Sequence, residues 1–182
     1  MPAALPPHRE APDCSAELRA KLVSLAIAGE PGLVCDRREL ARSGPSYTVD
    51  SLREIRAELG DEISLCLIVG ADALSALDSW SRWQEIPQLA HILALARPGW
   101  ELPQSGPVAD WLRPYLTESV ADLHEYPCGK VLLQHMRPLD ISSTEIRRII
   151  GRGLSPRYLL PDSVWKHIKA AGLYGYDGDT QE

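Results

Sequence analysis

The sequence predicts an α/β fold built on a doubly wound, all-parallel sheet. Strand-length runs that are apolar at nearly every position alternate along the chain with stretches of helical periodicity. Each run also stops at a turn signal: Val69 is followed by Gly70, and Ala96 by Arg97-Pro98-Gly99. Continuously apolar strands are those covered by helices on both faces, which is the environment of a parallel sheet.

The elements follow in order. Residues 15–28 read as a helix, with Leu18, Leu22, Leu25 and Ile27 near one face and Gly29 past its end. Leu33-Val34-Cys35 reads as a short apolar strand. Thr48 is placed to cap the next helix, in which Val49, Leu52, Ile55 and Leu59 recur at helical spacing before Gly60. Residues 64–69 form a strand expected to be buried on both faces. Residues 72–77 and 82–89 read as short helices, the second broken or bent at Pro87. A strand covers 91–96. From 99 to 129 the pattern dissolves around Pro103, Pro107, Pro114 and Pro127, an irregular insert with one helix near 108–116. A third core strand covers 131–135. A helix follows at 142–150, then a turn at 156–159. The last helix covers 161–171, with Pro161 in its first turn and Gly172 beyond it. The reading is one domain over 1–175 and a flexible tail over 176–182.

Composition narrows the function classes. The 182 residues carry a net charge of −6, which argues against a broad electrostatic grip on nucleic acid or anionic lipid. Lysine is confined to Lys21, Lys130, Lys166 and Lys169, so arginine supplies most of the positive charge, the better fork for phosphate and carboxylate. No phenylalanine is present, so Trp, Tyr, Leu, Ile and Val must fill the core. The apolar runs fall far short of the roughly 20 residues that a membrane helix needs. The first residues have neither the basic nor the apolar region of a signal peptide. Cys14, Cys35, Cys66 and Cys128 are scattered without a C-x-x-C pair, against a zinc site or disulfide framework. Two of them lie in apolar stretches, as buried thiols do. The expectation is a cytoplasmic protein.

In such sheets ligands bind outside the carboxyl ends of the strands, which directs attention to residues 70–72, 97–99 and 138–144. Ser142-Ser143-Thr144-Glu145 fits a capping box. Three hydroxyls at a helix N-terminus, with Arg147 one turn on, also suit a phosphate. Asp72, just past a strand, suits a ribose or caps the following helix. Of Trp80 and Trp83, one belongs to the core, or an aromatic face stacks on a flat ring. Pro6-Pro7-His8-Arg9 is a rigid turn with two groups that can hold an anion, or a loose end.

Taken in order, these segments resemble the bacterial nicotinate-mononucleotide adenylyltransferases of the α/β nucleotidyltransferase superfamily. The family's P-x-x-x-PPH-[KR] is matched by Pro2-Ala3-Ala4-Leu5-Pro6-Pro7-His8-Arg9. Its SYT-x-[DQ]-TL is similar to Ser46-Tyr47-Thr48-Val49-Asp50-Ser51-Leu52, and its I-[IV]-G-x-D to Ile68-Val69-Gly70-Ala71-Asp72. The tryptophan that follows is Trp80, and the AH…RPG segment runs from Ala90-His91 to Arg97-Pro98-Gly99. IS-[SA]-T-x-IR is Ile141-Ser142-Ser143-Thr144-Glu145-Ile146-Arg147, and Tyr158-Leu159-Leu160-Pro161 through Gly172-Leu173-Tyr174 matches the final motif.

The resemblance implies a Rossmann-like nucleotidyltransferase fold. The implied reaction joins nicotinate mononucleotide and ATP, with Mg²⁺, into nicotinate adenine dinucleotide and pyrophosphate, a step of NAD synthesis. It implies that Thr48 and the backbone near Trp80 and Ser81 receive the nicotinate carboxylate, with Trp80 stacked on the pyridine ring. His8 and Arg9 would lie near the mononucleotide phosphate, Gly70 and Asp72 on the adenosine ribose, and Arg97 by the adenine. Ser142, Ser143, Thr144 and Arg147 would hold the ATP phosphates. Another nucleotidyltransferase of the superfamily, or a non-catalytic mononucleotide binder, are the alternatives; oligomeric state is left open.

One family motif has no match. The G-x-F-D-P-x-H-x-G-H segment, whose histidines the family uses on the transferring phosphate, is not among these residues. Its absence implies an N-terminally incomplete fold and a chain inactive as written. The expectation is an in-frame upstream extension of roughly 35 to 45 codons, the size of a βαβ start, encoding it. Sequencing upstream of Met1 checks this. A stop codon close by, with no such segment beyond, would leave a true truncation.

Overall fold

The computed structural model describes residues 1–2, 14–102, 104–137 and 139–177. In chain order its helices are α1 (Ala16–Ala26), α2 (Thr48–Leu59), α3 (Ala71–Ser75), α4 (Ile86–Leu89), α5 (Pro107–Leu112), α6 (Asp122–Glu125), α7 (Ser143–Ile150) and α8 (Asp162–Ala170). Its strands are β1 (Cys66–Gly70), β2 (His91–Ala96), β3 (Leu116–Thr117) and β4 (Val131–His135). The chain groups into two compact units. A middle unit covers Tyr47–Pro138, and a terminal unit combines Met1–Ser46 with Leu139–Glu182.

The middle unit holds the sheet. Four strands run in the order β1-β2-β4-β3, every neighbouring pair parallel, so the α/β expectation holds. Strands β2 and β4 have the ranges their apolar runs predict. Leu52, Leu74, Ile86, Ile92, Leu112 and Val131 form the buried centre of this unit's core. With no phenylalanine available, Trp83, Trp111 and Tyr115 make its aromatic wall, with ring centroids 4.5 Å and 5.1 Å apart.

β1 departs from expectation. It lies at an edge of the sheet, and Ile68 is 61% exposed where burial on both faces is predicted. Cys66 is exposed as well, and Cys35 only half-buried, so neither is the buried thiol that its apolar surroundings suggest. Exposed and half-buried residues alternate along β1, so one face of the strand has no helix over it among the described residues. Pro87 does not break a helix: it occupies the first turn of α4, where its missing N–H costs nothing. A 3₁₀ turn, Trp83–Glu85, leads into that helix. β3, two residues long, carries too little pattern to be read from sequence.

Arg56 ties the middle unit together. It is only 8% exposed, and its guanidinium donates to four backbone carbonyls. Nε and Nη2 reach Leu89 O at 3.1 and 2.6 Å, and Nη1 reaches Gly60 O at 3.0 Å and Ile63 O at 2.6 Å. Nη2 also donates to Pro127 O at 3.1 Å. His91 works beside it as a neutral ring with 0% exposure. Its Nδ1 accepts from Lys130 N at 3.0 Å, which leaves Nε2–H to donate to Tyr126 O at 2.7 Å.

The terminal unit packs α1, α7 and α8. Ile150, Val164, Trp165 and Ile168 form its buried centre, with Leu22 and Leu25 of α1 against them. Ser15 caps α1, its hydroxyl accepting from Leu18 N at 3.2 Å. Ser163 Oγ donates to Leu25 O at 2.8 Å, joining the two ends of the chain. Leu33-Val34-Cys35 is not a strand: Leu33 is 57% and Val34 85% exposed, and among the described residues no strand pairs with them. Of the three, only Cys35 is partly buried. Pro161 stands at the cap position of α8 and not within its first turn. Tyr176, read as the start of the tail, packs edge-on against Trp165 at 5.1 Å. Burial alone raises the Asp36 pKa. The Arg38 backbone N–H at 2.9 Å, its guanidinium at 2.6 Å and its charge together outweigh burial, holding the carboxyl below its ordinary value.

Replacing Arg56 tests the staple. Arg56→Met strands four buried carbonyls, and urea denaturation should show a loss of about 3 kcal/mol or more. Arg56→Lys, with the charge but fewer donors, should fall between. A loss below about 1 kcal/mol for Arg56→Met would mean that the carbonyls are satisfied without it.

Candidate active site

Two groups of expected site residues come together in the middle unit. At the sheet's carboxyl end, Gly70 closes β1 with extended backbone and α3 starts at once, so Asp72 falls in that helix's first turn. The cap position belongs to Gly70, so Asp72 is not the helix cap. Gly70 stands in register with Leu95, so Arg97 leaves the neighbouring strand at the same end. Asp72 and Arg97 are both exposed, and among the described residues neither side chain has a hydrogen-bond or ion-pair partner.

The second group joins the start of α2 to the turn before α4. Thr48 is the first helical residue, with Tyr47 in extended conformation at the cap position and no side-chain cap bond. The predicted Thr48 cap is therefore incorrect. The helix starts one residue earlier than that reading requires, and the half-buried Thr48 hydroxyl has no hydrogen-bond partner among the described residues. Trp80 is half-buried against the core, and Ser81 is half-buried beside it. Two ion pairs hold these segments in contact. Arg82 Nη2 donates to Asp50 Oδ1 at 2.5 Å, and Arg53 Nη2 donates to Glu85 Oε2. Asp50 and Arg53 are 3.6 Å apart on α2.

Sequence reasoning passes over Arg82, whose backbone is left-handed at φ 52° and ψ 37°. The available signal is a spacing: Asp50 and Arg53 on one segment match Arg82 and Glu85 on the other, each pair three residues apart.

The expected triphosphate-binding residues lie in the terminal unit. Ser142 caps α7, its Oγ accepting from Glu145 N at 3.1 Å, so the capping reading is correct in that half. The Glu145 carboxylate lies 3.5 Å from Arg148. Arg147 Nη2 donates to Ser143 Oγ at 3.4 Å. Ser142, Ser143 and Thr144 are exposed, their hydroxyls at the positive end of α7. A recess of about 370 Å³ elsewhere in this unit, lined by Arg157, Trp165, Lys166, Lys169 and Tyr176 among others, contains none of the expected residues. His8 and Arg9 lie outside the described residues.

No helix among the described residues is long and apolar enough to cross a membrane. The cytidylyltransferase-like family model matches residues 1–149. A probable nicotinate-nucleotide adenylyltransferase of Marinobacter nauticus is 48% identical over 175 residues, spanning 96% of this chain and 81% of that protein. One of the same name from Cellvibrio japonicus is 48% identical over 174 residues, with coverage of 96% and 82%. Among solved structures, Plasmodium falciparum nicotinic acid mononucleotide adenylyltransferase complexed with NaAD superposes with a TM-score of 0.62. It covers 97% of this chain and 81% of that one, at 14% identity, a likeness of fold.

Ser142→Ala should cost about 1 kcal/mol in thermal or chemical denaturation, the usual loss of a serine cap. An unchanged midpoint would show that Glu145 N–H is satisfied equally well by water.

Proposed function

The chain belongs to the cytidylyltransferase-like family and, within it, to the nicotinate-nucleotide adenylyltransferases, and from that premise we propose the following reaction and site. A phosphate oxygen of nicotinate mononucleotide attacks the α-phosphorus of MgATP. One P–O bond forms, the bond from the α-phosphorus to the β-phosphate oxygen breaks, and pyrophosphate leaves with nicotinate adenine dinucleotide as the other product. The observation that carries this reading is the 48% identity sustained over 96% of the chain.

Phosphoryl chemistry of this kind asks mainly for positioning and charge neutralisation. Thr48, with its uncommitted hydroxyl, and the backbone at Trp80-Ser81 receive the nicotinate carboxylate, while Trp80 lies on the pyridine ring. Donors suit a carboxylate better than a carboxamide. Gly70 and Asp72 take the adenosine ribose and Arg97 lies by the adenine, from the carboxyl end of the sheet. Ser142, Ser143, Thr144 and Arg147 take the triphosphate at a helix N-terminus. Mg²⁺ enters as the ion carried by ATP. His8 and Arg9 belong near the mononucleotide phosphate. The protein acts in the cytoplasm, on nucleotides and not on nucleic acid or membrane.

Pyrophosphate release, measured on the protein translated from the whole reading frame, tests the reading. Nicotinate mononucleotide should exceed its amide by at least about tenfold in kcat/KM, and Arg147→Ala should lower kcat/KM by about 10²-fold, the scale of one preorganised donor. Equal use of the two mononucleotides would remove Thr48 from its role. Wild-type kcat/KM in Arg147→Ala would remove that residue from the site.

A further inference from the structure

The left-handed backbone of Arg82 is the most informative irregularity near the proposed site. Only glycine visits this region without penalty; any other side chain there is strained. If backbone shape were the sole requirement, glycine would serve best. Arginine at this position points to a use for its side chain, and the guanidinium has one: Asp50 Oδ1, 2.5 Å away on the first turn of α2.

A second pair makes the arrangement reciprocal. α2 presents Asp50 and Arg53, and the facing turn presents Arg82 and Glu85. Acid meets base at both positions. Sliding either segment along by one pair would set Arg53 against Arg82, so the charges fix the register. All four side chains are between 35% and 44% exposed. Pairs so open to water add little to global stability. Strained backbone, by contrast, persists only where its surroundings over-determine it, and it collects at binding sites.

We propose that the Asp50–Arg82 pair, supported by Arg53–Glu85, is a positioning clamp that sets Trp80 and Ser81 against Thr48. Asp50 lies two residues after Thr48, and Arg82 directly follows Ser81, so the clamp links the two segments assigned to one subsite. Releasing it lets Arg82 relax from the left-handed region and swings the chain between Ser81 and Trp83. The clamp thereby sets affinity for the pyridine end of the substrate. This role rests on the function proposed above; the clamp itself does not.

The test separates the two. Hydrogen–deuterium exchange on the full chain should show amides of residues 80–83 exchanging about fivefold faster in Asp50→Asn than in wild type, with Tm nearly unchanged. Unchanged exchange overturns the clamp whatever the ligand. Titration with nicotinate mononucleotide by calorimetry should then show Kd weakened about fivefold or more in Asp50→Asn and in Arg82→Gly, which keeps the left-handed backbone without the charge. Arg113→Ala, which removes the more exposed Arg113–Asp110 pair, should bind as wild type does. Faster exchange with unaltered Kd overturns the positioning role. A wild-type chain that does not take the mononucleotide overturns that role together with the functional reading, while the exchange result still decides the clamp.

Discussion

The middle unit depends on a cation held by carbonyls alone. Arg56 receives oxygens from Ile63, Leu89 and Pro127, which stand just ahead of β1, β2 and β4, so one guanidinium gathers the entries to three neighbouring strands. The fourth oxygen, Gly60 O, fastens the end of its own helix. A planar fork with five donors can satisfy this many oxygens where an ammonium cannot. Among the described residues no carboxylate neutralises it, so carbonyl dipoles carry the charge. His91 adds two neutral bonds in the same place, drawing Tyr126 and Lys130 to the start of β2. The amino end of the sheet is thus the fastened end. The carboxyl end, where Gly70, Asp72 and Arg97 emerge, is left free of such ties. The tied end of the strands is opposite the end from which the proposed nucleotide-binding residues emerge.

How far the sequence anticipates this differs by element. β2 and β4 are legible to the residue because each is apolar along its length, bounded by turn residues, and placed inside the sheet. β1 is legible as a strand but not in its exposure, since an apolar run carries no record of whether both of its faces are covered. Leu33-Val34-Cys35 shows the converse: the same residue types without a partner remain irregular backbone. α7 declares itself through its capping serine, and α1 and α2 through periodicity, α2 with a glycine stop at Gly60. The Arg56 staple is invisible beforehand, because its partners are carbonyls, and every residue has one.

At the site, motifs locate segments better than they assign atoms. Ser142 does what its spacing to Glu145 suggests, because a helix cap is a local bond between near neighbours. Thr48 does not, because which residue turns into the helix depends on how Tyr47 enters it, a matter of backbone that side-chain identity records poorly. Arg82 looks like a surface arginine; its left-handed backbone shows only in three dimensions, where the partner 32 residues away comes into view. Local signals are read and distant ones are not.

The division of the chain also orders its birth on the ribosome. The middle unit is one unbroken stretch, Tyr47–Pro138, and its core is complete in the nascent polypeptide once that stretch has emerged. The terminal unit is split, and Leu25 meets Ser163 across 138 positions. At elongation rates of about 5–20 residues per second, making residues 139–182 takes roughly 2 to 9 s. Until α7 and α8 have been made, Leu22 and Leu25 of α1 lack the residues they pack against.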